Sequence, residues 1–443
     1  MNAGGDPRGH FPHEPIQRVI GPMQRFLHVE AASGVVLLLC TLTALGLANS
    51  PMAESFLGFW KMPVAIHLGS FEMEHSLQHW VNDGLMAIFF FVIGLEVKRE
   101  IVLGDLRELR TAALPIAAAI GGMVIPAAVY LLILGSESGR DGWGIPMATD
   151  IAFVVGCMAI LGKRVPHSLR VLLLSLAIAD DIGAILVIAV GYTESIDGTA
   201  LALGFAGIGA VLVMQRIGVR SIGVYTLVGM AIWLAFHESG VHATVAGVIL
   251  GLMTPARSYL SESVFSDFIE RAREVLRGRV AYSSARRTGH VRDLTRAARE
   301  TLSPLEYLEA TLHPWVGFAI MPIFALANAG VPFRVGDLAD PVALAVAGGL
   351  LIGKPVGIVL TSFLAVKLGL ARKPDSVSWT ALIGGGFLAG IGFTMALFIS
   401  GLALAGPELD IAKVGVLGAS GVAAAIGMAI LMLALPKPAA GND

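Results

Sequence analysis

Long apolar runs decide what this chain can fold into. A helix needs roughly 20 apolar residues to cross the hydrocarbon core of a bilayer, or fewer where protein shelters it. We count about twelve such runs, near residues 32–48, 77–97, 111–134, 143–162, 168–190, 199–215, 221–237, 242–253, 314–329, 342–366, 380–404 and 413–435. Their apolar residues are continuous rather than alternating, which excludes the strands of a membrane β-barrel. The sequence therefore predicts an all-α membrane protein with about twelve transmembrane helices.

The composition agrees with this fold class. Of the 443 residues, 55% are hydrophobic and 14% are charged, whereas a soluble globular domain carries about 25% charged residues. The net charge of −2 gives no excess of positive charge for binding nucleic acid. No motif requires a cofactor, and we expect a protein that is not an enzyme.

The distribution of basic residues predicts the orientation of the chain. Lysine and arginine cluster after the second, fourth, sixth, eighth and tenth runs, and residues 254–313 alone contain ten arginines. The alternate connections hold isolated basic residues or none. The positive-inside rule then places both termini in the cytoplasm. The expected parts are an N-terminal segment (1–30), a membrane domain (31–435) and a cytoplasmic tail (436–443).

Two connecting segments are long enough to have structure of their own. The sequence of residues 63–74 (PVAIHLGSFEME) predicts a small β-hairpin that turns at Gly69-Ser70 on the external side. Residues 256–305 are Arg-rich and helical in character, and they contain no apolar run that could form a core. We interpret them as a cytoplasmic insert between the eighth and ninth spans.

Ionisable residues inside the apolar runs mark the candidate site, because a charge at membrane depth is costly. They are Asp150 in the fourth run, Asp180 and Asp181 in the fifth, Lys354 in the tenth, and Asp83 nearer the external end of the second. Asp180 and Asp181 point about 100° apart on a helix, so both can border one cavity. They cannot both stay charged and unpaired there. A bound cation, protons or a fixed positive partner would each stabilise the pair, and switching between the first two is ion–proton exchange.

The chemistry of these groups favours sodium as the cation. Carboxylate oxygens suit a hard cation, and no Cys or His lies nearby in the sequence for a transition metal. The sequence alone also allows a second interpretation of these buried charges. Lys354 and one aspartate could form a buried salt bridge that only fixes helix packing.

Two runs look interrupted where Gly, Pro and Thr cluster. The fourth contains PMATDIAF (146–153) and the eleventh contains GGGFLAGIGFTMAL (384–397). A broken helix leaves unpaired N–H groups at one end and unpaired carbonyls at the other, which a buried Asp or a buried Lys would compensate. From the predicted topology, spans three to five and ten to twelve form antiparallel triplets. Such inverted repeats with interrupted helices are typical of secondary transporters.

Several longer motifs resemble the NhaA family of sodium/proton antiporters. They run from about residue 30 to 435 and are NDGLMAIFFFVIGLEVKRE (82–100), AIGGMVIPA (119–127), PMATDIAF (146–153), LAIADDIGAI (176–185), SGVHATVAGV (239–248), LHPWV (312–316), FALANAGV (324–331), LLIGKPVGI (350–358) and GIGFTMALFI (390–399). The inverted-repeat pattern of transporters is known partly from NhaA itself. The predicted repeat is therefore not evidence for the family resemblance independent of the motifs.

The resemblance implies roles for particular residues. Asp180 and Asp181 would bind the cation and the protons, so that the only metal ion expected is Na+ at this pair. Site-supporting residues would be Thr149, Asp150, Lys354 and Gly392, with Lys354 as the buried lysine of electrogenic members. A response to pH would involve Glu96, Lys98, Glu100, His242, Glu309 and His313.

The resemblance also implies the activity and its setting. Intracellular sodium, and also lithium, would be exchanged for external protons across a bacterial inner membrane. The exchange would be electrogenic with about two protons per sodium ion, since a pair of carboxylates can exchange up to two. Lys354 is an alternative carrier of the second proton, because a lysine paired with an aspartate could lose its proton when sodium arrives. It would be regulated by pH and would serve sodium extrusion and pH homeostasis. The protein would form a homodimer through hairpin 63–74.

Other functions fit parts of the pattern. An intramembrane aspartyl protease also buries two aspartates, but on separate helices and commonly with a Gly-x-Gly-Asp motif, which is absent here. A sodium-coupled solute symporter could share the interrupted helices, and solute uptake without competition between protons and sodium would reveal it. His75 and His79 have the spacing of a metal-binding pair, but with no third ligand nearby we expect an interfacial helix start instead.

We expect the Arg-rich insert to be dispensable for transport, because the membrane motifs are complete without it. Replacing residues 262–300 with a flexible linker should leave turnover within a few-fold of wild type. The measurement is sodium-dependent proton movement in everted vesicles. Complete loss of exchange in a correctly inserted variant would contradict the interpretation.

Overall fold

The computed structural model describes residues 30–68, 71–193, 196–258, 266–267, 269–270 and 301–435. Most of the predicted N-terminal segment, most of the insert at 256–305 and the tail at 436–443 lie outside the described residues. Their predicted organisation stays a prediction.

Helices make up most of the described chain, and every predicted apolar run lies on at least one of them. In chain order they are α1 (Glu30–Ala48), α2 (Ala53–Lys61), α3 (Leu77–Trp80), α4 (Met86–Val102), α5 (Leu109–Leu134), α6 (Ile151–Leu161), α7 (His167–Gly191), α8 (Gly198–Arg216), α9 (Ile222–Glu238), α10 (Ala243–Met253), α11 (Pro304–Trp315), α12 (Met321–Asn328), α13 (Pro341–Gly348), α14 (Lys354–Lys367), α15 (Trp379–Ala389), α16 (Phe393–Ala403) and α17 (Gly406–Ala434). Turns of π-helix at Val81–Leu85, Val316–Ile320 and Gly349–Gly353 join α3 to α4, α11 to α12 and α13 to α14.

The helices confirm a multi-pass membrane protein. Within the described residues, seven helical segments are long and apolar enough to cross a bilayer, or nine if two bent pairs each count as one span. The bent pairs are α1 with α2, at 114°, and α15 with α16, at 46°. The number of twelve crossings stays a prediction.

The predicted hairpin is confirmed. Strands β1 (Pro63–Leu68) and β2 (Phe71–Ser76) pair antiparallel with Leu68 opposite Phe71. The predicted turn at Gly69-Ser70 lies outside the described residues, and its external location stays a prediction. Ser76 ends β2 and caps α3, because its hydroxyl accepts a hydrogen bond from the His79 backbone N–H at 3.2 Å. The Trp80 indole N–H donates to the Val64 carbonyl at 3.0 Å and so fastens the sheet to α3.

Two helices begin well before the apolar runs that predicted them. Helix α11 begins at Pro304, where Ser303 and Glu306 form a reciprocal capping box. Helix α17 begins at Gly406 with Pro407 in its first turn, a position that suits proline. The capping box sets the start of α11, and the proline in the first turn favours the start of α17, so neither boundary follows the start of the apolar run. As a result Lys413, the first residue of the predicted twelfth run, is buried inside α17.

Glycines allow α10 to pack directly on α4. Helix α10 has 11 residues, about 16 Å, and is too short to cross a bilayer core of about 30 Å unaided. A Cβ atom on Gly251 would lie 2.8 Å from Gly94 Cα, and one on Gly94 would lie 2.6 Å from the Val248 carbonyl oxygen. The two backbones touch with no side chain between them, as small residues permit in membrane helices.

We expect Gly251→Ala to destabilise the protein by about 1–3 kcal/mol, because the added methyl group overpacks the contact with α4. Gly209→Ala is the matched control, since a Cβ atom at Gly209 in α8 meets nothing within 4 Å. Both changes raise helix propensity alike, so the difference between their thermal unfolding midpoints isolates the packing effect. Equal midpoints for the two variants would refute close packing at this contact.

Candidate functional site

The site forms where two breaks in helical structure cross. A 3₁₀ segment at Arg140–Met147 leads into three non-helical residues before α6, and α15 is separated from α16 by residues 390–392. The Asp150 backbone N–H donates to the Ile391 carbonyl at 2.8 Å, which joins the two breaks. A Cβ atom on Gly392 would lie 3.0 Å from the Leu350 side chain and 3.3 Å from the Ala148 carbonyl oxygen. The crossing therefore brings backbone against backbone.

Asp150 lies between the amino ends of α6 and α16. Its Oδ1 accepts from the Phe153 backbone N–H of α6 at 3.3 Å, and its Oδ2 accepts from the Thr394 backbone N–H of α16 at 3.0 Å. The Thr394 hydroxyl donates to the same Oδ2. The side chain is 2% exposed. One carboxylate thus satisfies N–H groups at two positively polarised helix ends.

Lys354 and Thr149 bind the opposite ends of the broken segments. The fully buried Lys354 Nζ, which directly follows the π turn at Gly349–Gly353, donates to the Met147 carbonyl at the end of the 3₁₀ segment. It also donates to Asp180 Oδ2 at 2.5 Å. The Thr149 hydroxyl lies 2.6 Å from Asp180 Oδ2 and 3.0 Å from the Ala389 carbonyl oxygen, and its single proton can serve one of them at a time. Asp180 is therefore part of the hydrogen-bond network at the crossing.

The two adjacent aspartates of α7 have different surroundings. Asp180 is completely buried, with Oδ2 shared between Lys354 and Thr149, while Oδ1 has no hydrogen-bond partner and lies near Gly122. Asp181 is 3% exposed and borders a cavity. Its negative neighbours are Glu96, Asp150 and Asp180. Lys354 thus pairs with one aspartate and leaves the other facing open space.

The cavity has a volume of about 430 Å³ and connects Asp181 with a second group of charged residues. Thr149, Asp150 and Thr394 line it beside Asp181, and apolar side chains of α1, α4 and α7 form much of its wall. The second group consists of Glu96, Arg99, Glu100, Glu309 and His313, which we call the charged rim.

Four of the six residues predicted for the pH response belong to the charged rim, and a fifth member was missed. Arg99 forms an ion pair with Glu309, and the Ser175 hydroxyl donates to Glu100 at 3.3 Å. Lys98 is not among the residues that line the cavity. Helical spacing gives the reason, because Arg99 and Glu100 follow Glu96 at i+3 and i+4 whereas Lys98 lies on another face of α4.

His242 lies away from the charged rim. It immediately precedes α10, and its Nε2 is 2.8 Å from the Tyr192 carbonyl oxygen at the end of α7. It does not line the cavity of the charged rim. The structure thus separates it from the other residues predicted for the pH response.

Asp83 belongs to a different cluster. It lies in the π turn at Val81–Leu85, with Oδ2 3.3 Å from His237 Nδ1 and 3.5 Å from His79 Nε2. His75 Nε2 is 3.4 Å from His237 Nε2. The expectation that His75 and His79 have no third potential ligand nearby was wrong. Helix α9 supplies His237 from a distant part of the sequence, which spacing alone cannot indicate.

Sequence comparisons with known proteins agree with the motifs. The family model described as Na+/H+ antiporter 1 matches residues 24–431. A Na(+)/H(+) antiporter NhaA from Rhodopirellula baltica is 57% identical over 97% of this chain and 97% of its own, and one from Rhizobium meliloti is 54% identical over 98% and 99%. The solved sodium proton antiporter MjNhaP1 from Methanocaldococcus jannaschii is 13% identical with a TM-score of 0.45, over 95% of this chain and 97% of its own. The family match and the curated relatives confirm the resemblance seen in the motifs: the chain belongs to the NhaA family of sodium/proton antiporters, which are transporters and not enzymes.

Proposed function

We propose that this protein exchanges sodium ions for protons at Asp180 and Asp181. The observation that carries the proposal is the unequal pair itself, with one carboxylate held by Lys354 and the adjacent one facing a cavity. Family membership supports it, since the curated relatives are named Na(+)/H(+) antiporters. A hard cation with few protein ligands needs oxygen atoms, and the two carboxylates with the Thr149 hydroxyl supply them.

In the proposed cycle, sodium and protons compete for the same carboxylates. Sodium reaches Asp181 through the cavity, displaces the proton bound there and attracts Asp180 away from Lys354. The freed lysine, in an apolar and fully buried position, then releases its proton. Protons that return to Asp181 and to Lys354 displace the sodium ion. Asp150 stays in its capping role throughout, because its two oxygens hold two helix ends together.

We place the charged rim on the cytoplasmic side, as the positive-inside rule indicates. Its three glutamates attract cations toward the cavity, and the Arg99–Glu309 ion pair limits how open the cavity is. Protonation of the glutamates and of His313 changes both the attraction of cations and the opening of the cavity. Exchange would therefore depend on cytoplasmic pH. His242 would act separately, through its hydrogen bond to the end of α7.

The remaining parts of the proposal concern the cellular setting. The protein extrudes sodium and lithium across the bacterial inner membrane, with both termini in the cytoplasm, and contributes to pH homeostasis. Inverted repeats of spans three to five and ten to twelve expose the crossing to one side at a time. The hairpin at 63–74 joins two copies into a homodimer.

We expect Asp181→Asn to abolish sodium-driven proton movement while leaving the protein as stable as wild type, because Asp181 forms no ion pair with Lys354. Asp180→Asn should also abolish exchange, and should in addition destabilise the protein by about 3–5 kcal/mol by leaving Lys354 buried without its partner. Dye quenching in everted vesicles measures exchange, and thermal unfolding of the purified variants measures stability. Asp375→Asn, at an exposed acid outside the site, is the control. Exchange at the wild-type rate in Asp181→Asn would remove the pair from its proposed role.

We further expect exchange to be electrogenic, with two protons entering for each sodium ion that leaves. One net charge then moves per cycle, worth about 2.3 kcal/mol per 100 mV of membrane potential. Purified protein in proteoliposomes, with equal pH and equal sodium on both sides, should move sodium when a potassium–valinomycin potential is imposed. The direction of flux should reverse with the sign of the potential, and Asp181→Asn should show none. Sodium flux that ignores the sign would show electroneutral exchange and refute the stoichiometry without removing antiport.

A further inference from the structure

Three histidines from three separate elements meet beside the hairpin, and we call them the histidine cluster: His75 of β2, His79 of α3 and His237 of α9. One ring nitrogen from each lies within 4.8 Å of the other two. The rings are packed together, since those of His75 and His79 stack with centroids 4.2 Å apart and that of His237 lies edge-on to both. All three side chains are partly exposed, so a small solute can reach them.

The spacing of the nitrogens fits ligands of one metal ion. Tetrahedral coordination with Zn–N bonds of about 2.0–2.1 Å puts ligand nitrogens roughly 3.3 Å apart. His75 Nε2 and His237 Nε2 are 3.4 Å apart. His79 Nε2 is buried and has no hydrogen-bond partner, so its lone pair or its proton is unsatisfied in the protein alone. Small rotations of the rings would bring all three nitrogens to ligand distance.

Asp83 completes the arrangement as a neighbouring acceptor. Its Oδ2 lies 3.3 Å from His237 Nδ1, which favours a proton on that nitrogen and leaves Nε2 free to bind a metal. A carboxylate behind a metal-binding histidine is the usual outer partner in zinc sites, where it fixes the ring and raises its basicity. The same oxygen lies 3.5 Å from His79 Nε2 and contributes negative charge close to a bound cation.

We propose that the histidine cluster binds a borderline transition-metal ion, with Zn2+ as the representative, and that Asp83 supports His237 from the outer sphere. Imidazole nitrogens suit Zn2+, Ni2+, Cu2+ and Co2+ rather than the hard cation Na+. The site is therefore distinct in chemistry from the Asp180–Asp181 pair. A bound ion links β2 and α3 to α9, and so holds the hairpin against the helices. The other account of the cluster is ring packing and hydrogen bonding alone.

The first experiment is calorimetric titration of ZnCl2 into the full chain, purified with an affinity tag that contains no histidine and freed of metal by a chelator. We expect one Zn2+ per chain, and a thermal unfolding midpoint that rises with the zinc concentration. His79→Ala and His237→Ala should each weaken binding by at least about 100-fold and abolish the rise, since each removes a ligand. Asp83→Asn should weaken binding by about 10–100-fold, the usual effect of changing an outer-shell partner. His167→Ala, at an exposed histidine outside the cluster, should bind as wild type does.

Two further measurements guard against variants that simply fold poorly. His79→Cys should restore zinc binding lost in His79→Ala, because a thiolate is a good zinc ligand. Co2+ bound to the wild-type protein should give the intense visible absorption of four-coordinate cobalt, and His237→Ala should lose it. Absence of saturable zinc binding in the folded wild type, or equal binding in His79→Ala and His167→Ala, would overturn the proposal. These readouts do not involve transport, so the outcome is independent of whether exchange occurs at the aspartate pair.

Discussion

The compensation of broken helix ends by Asp150 and Lys354 is the interaction on which the rest of the structure depends. Backbone groups that lose their helical partners inside a bilayer cannot turn to water, and each costs several kcal/mol unless the protein satisfies it. Asp150 accepts from N–H groups of α6 and α16, while Lys354 donates to the carbonyl that ends the 3₁₀ segment. These two charged residues therefore satisfy backbone groups left unpaired at the two breaks. The site follows from that arrangement.

Lys354 donates one hydrogen bond to the Met147 carbonyl, and its second hydrogen bond goes to only one of the two adjacent aspartates. Asp180 accepts a hydrogen bond from a second ammonium N–H and lies 2.6 Å from the Thr149 hydroxyl, so it becomes part of the crossing. Asp181, one residue further and about 100° around α7, is left to the cavity. A buried salt bridge between Lys354 and one aspartate that only fixes helix packing was the alternative that the sequence left open. The salt bridge is present, but it accounts for only one of the two carboxylates.

The sequence was sufficient for features that are local or periodic. The apolar runs predicted the helices, the hairpin followed from two short strand-like segments around Gly69-Ser70, and Asp180 and Asp181 stood out because no loop could explain them. Contacts between distant parts of the chain were not predictable in the same way. His237 reaches His75 and His79 only through the packing of α9 beside α3, and Lys413 is buried because α17 begins at Gly406, before the apolar run. Arg99 is an intermediate case, since helical spacing from Glu96 could have identified it.

The cavity places Asp181 and the charged rim in one electrostatic environment. The charged rim and Asp181 line the same space of about 430 Å³, so a change in charge at the rim also acts on Asp181. No movement of helices is needed for this coupling, because an added or removed charge in a low-dielectric cavity acts over several ångströms. His242 has no such route, as it lies at the other end of α7 and contacts the Tyr192 carbonyl. His242 could therefore affect exchange only by shifting α7. Such a shift would move the aspartates of α7 and would leave the charge around them unchanged.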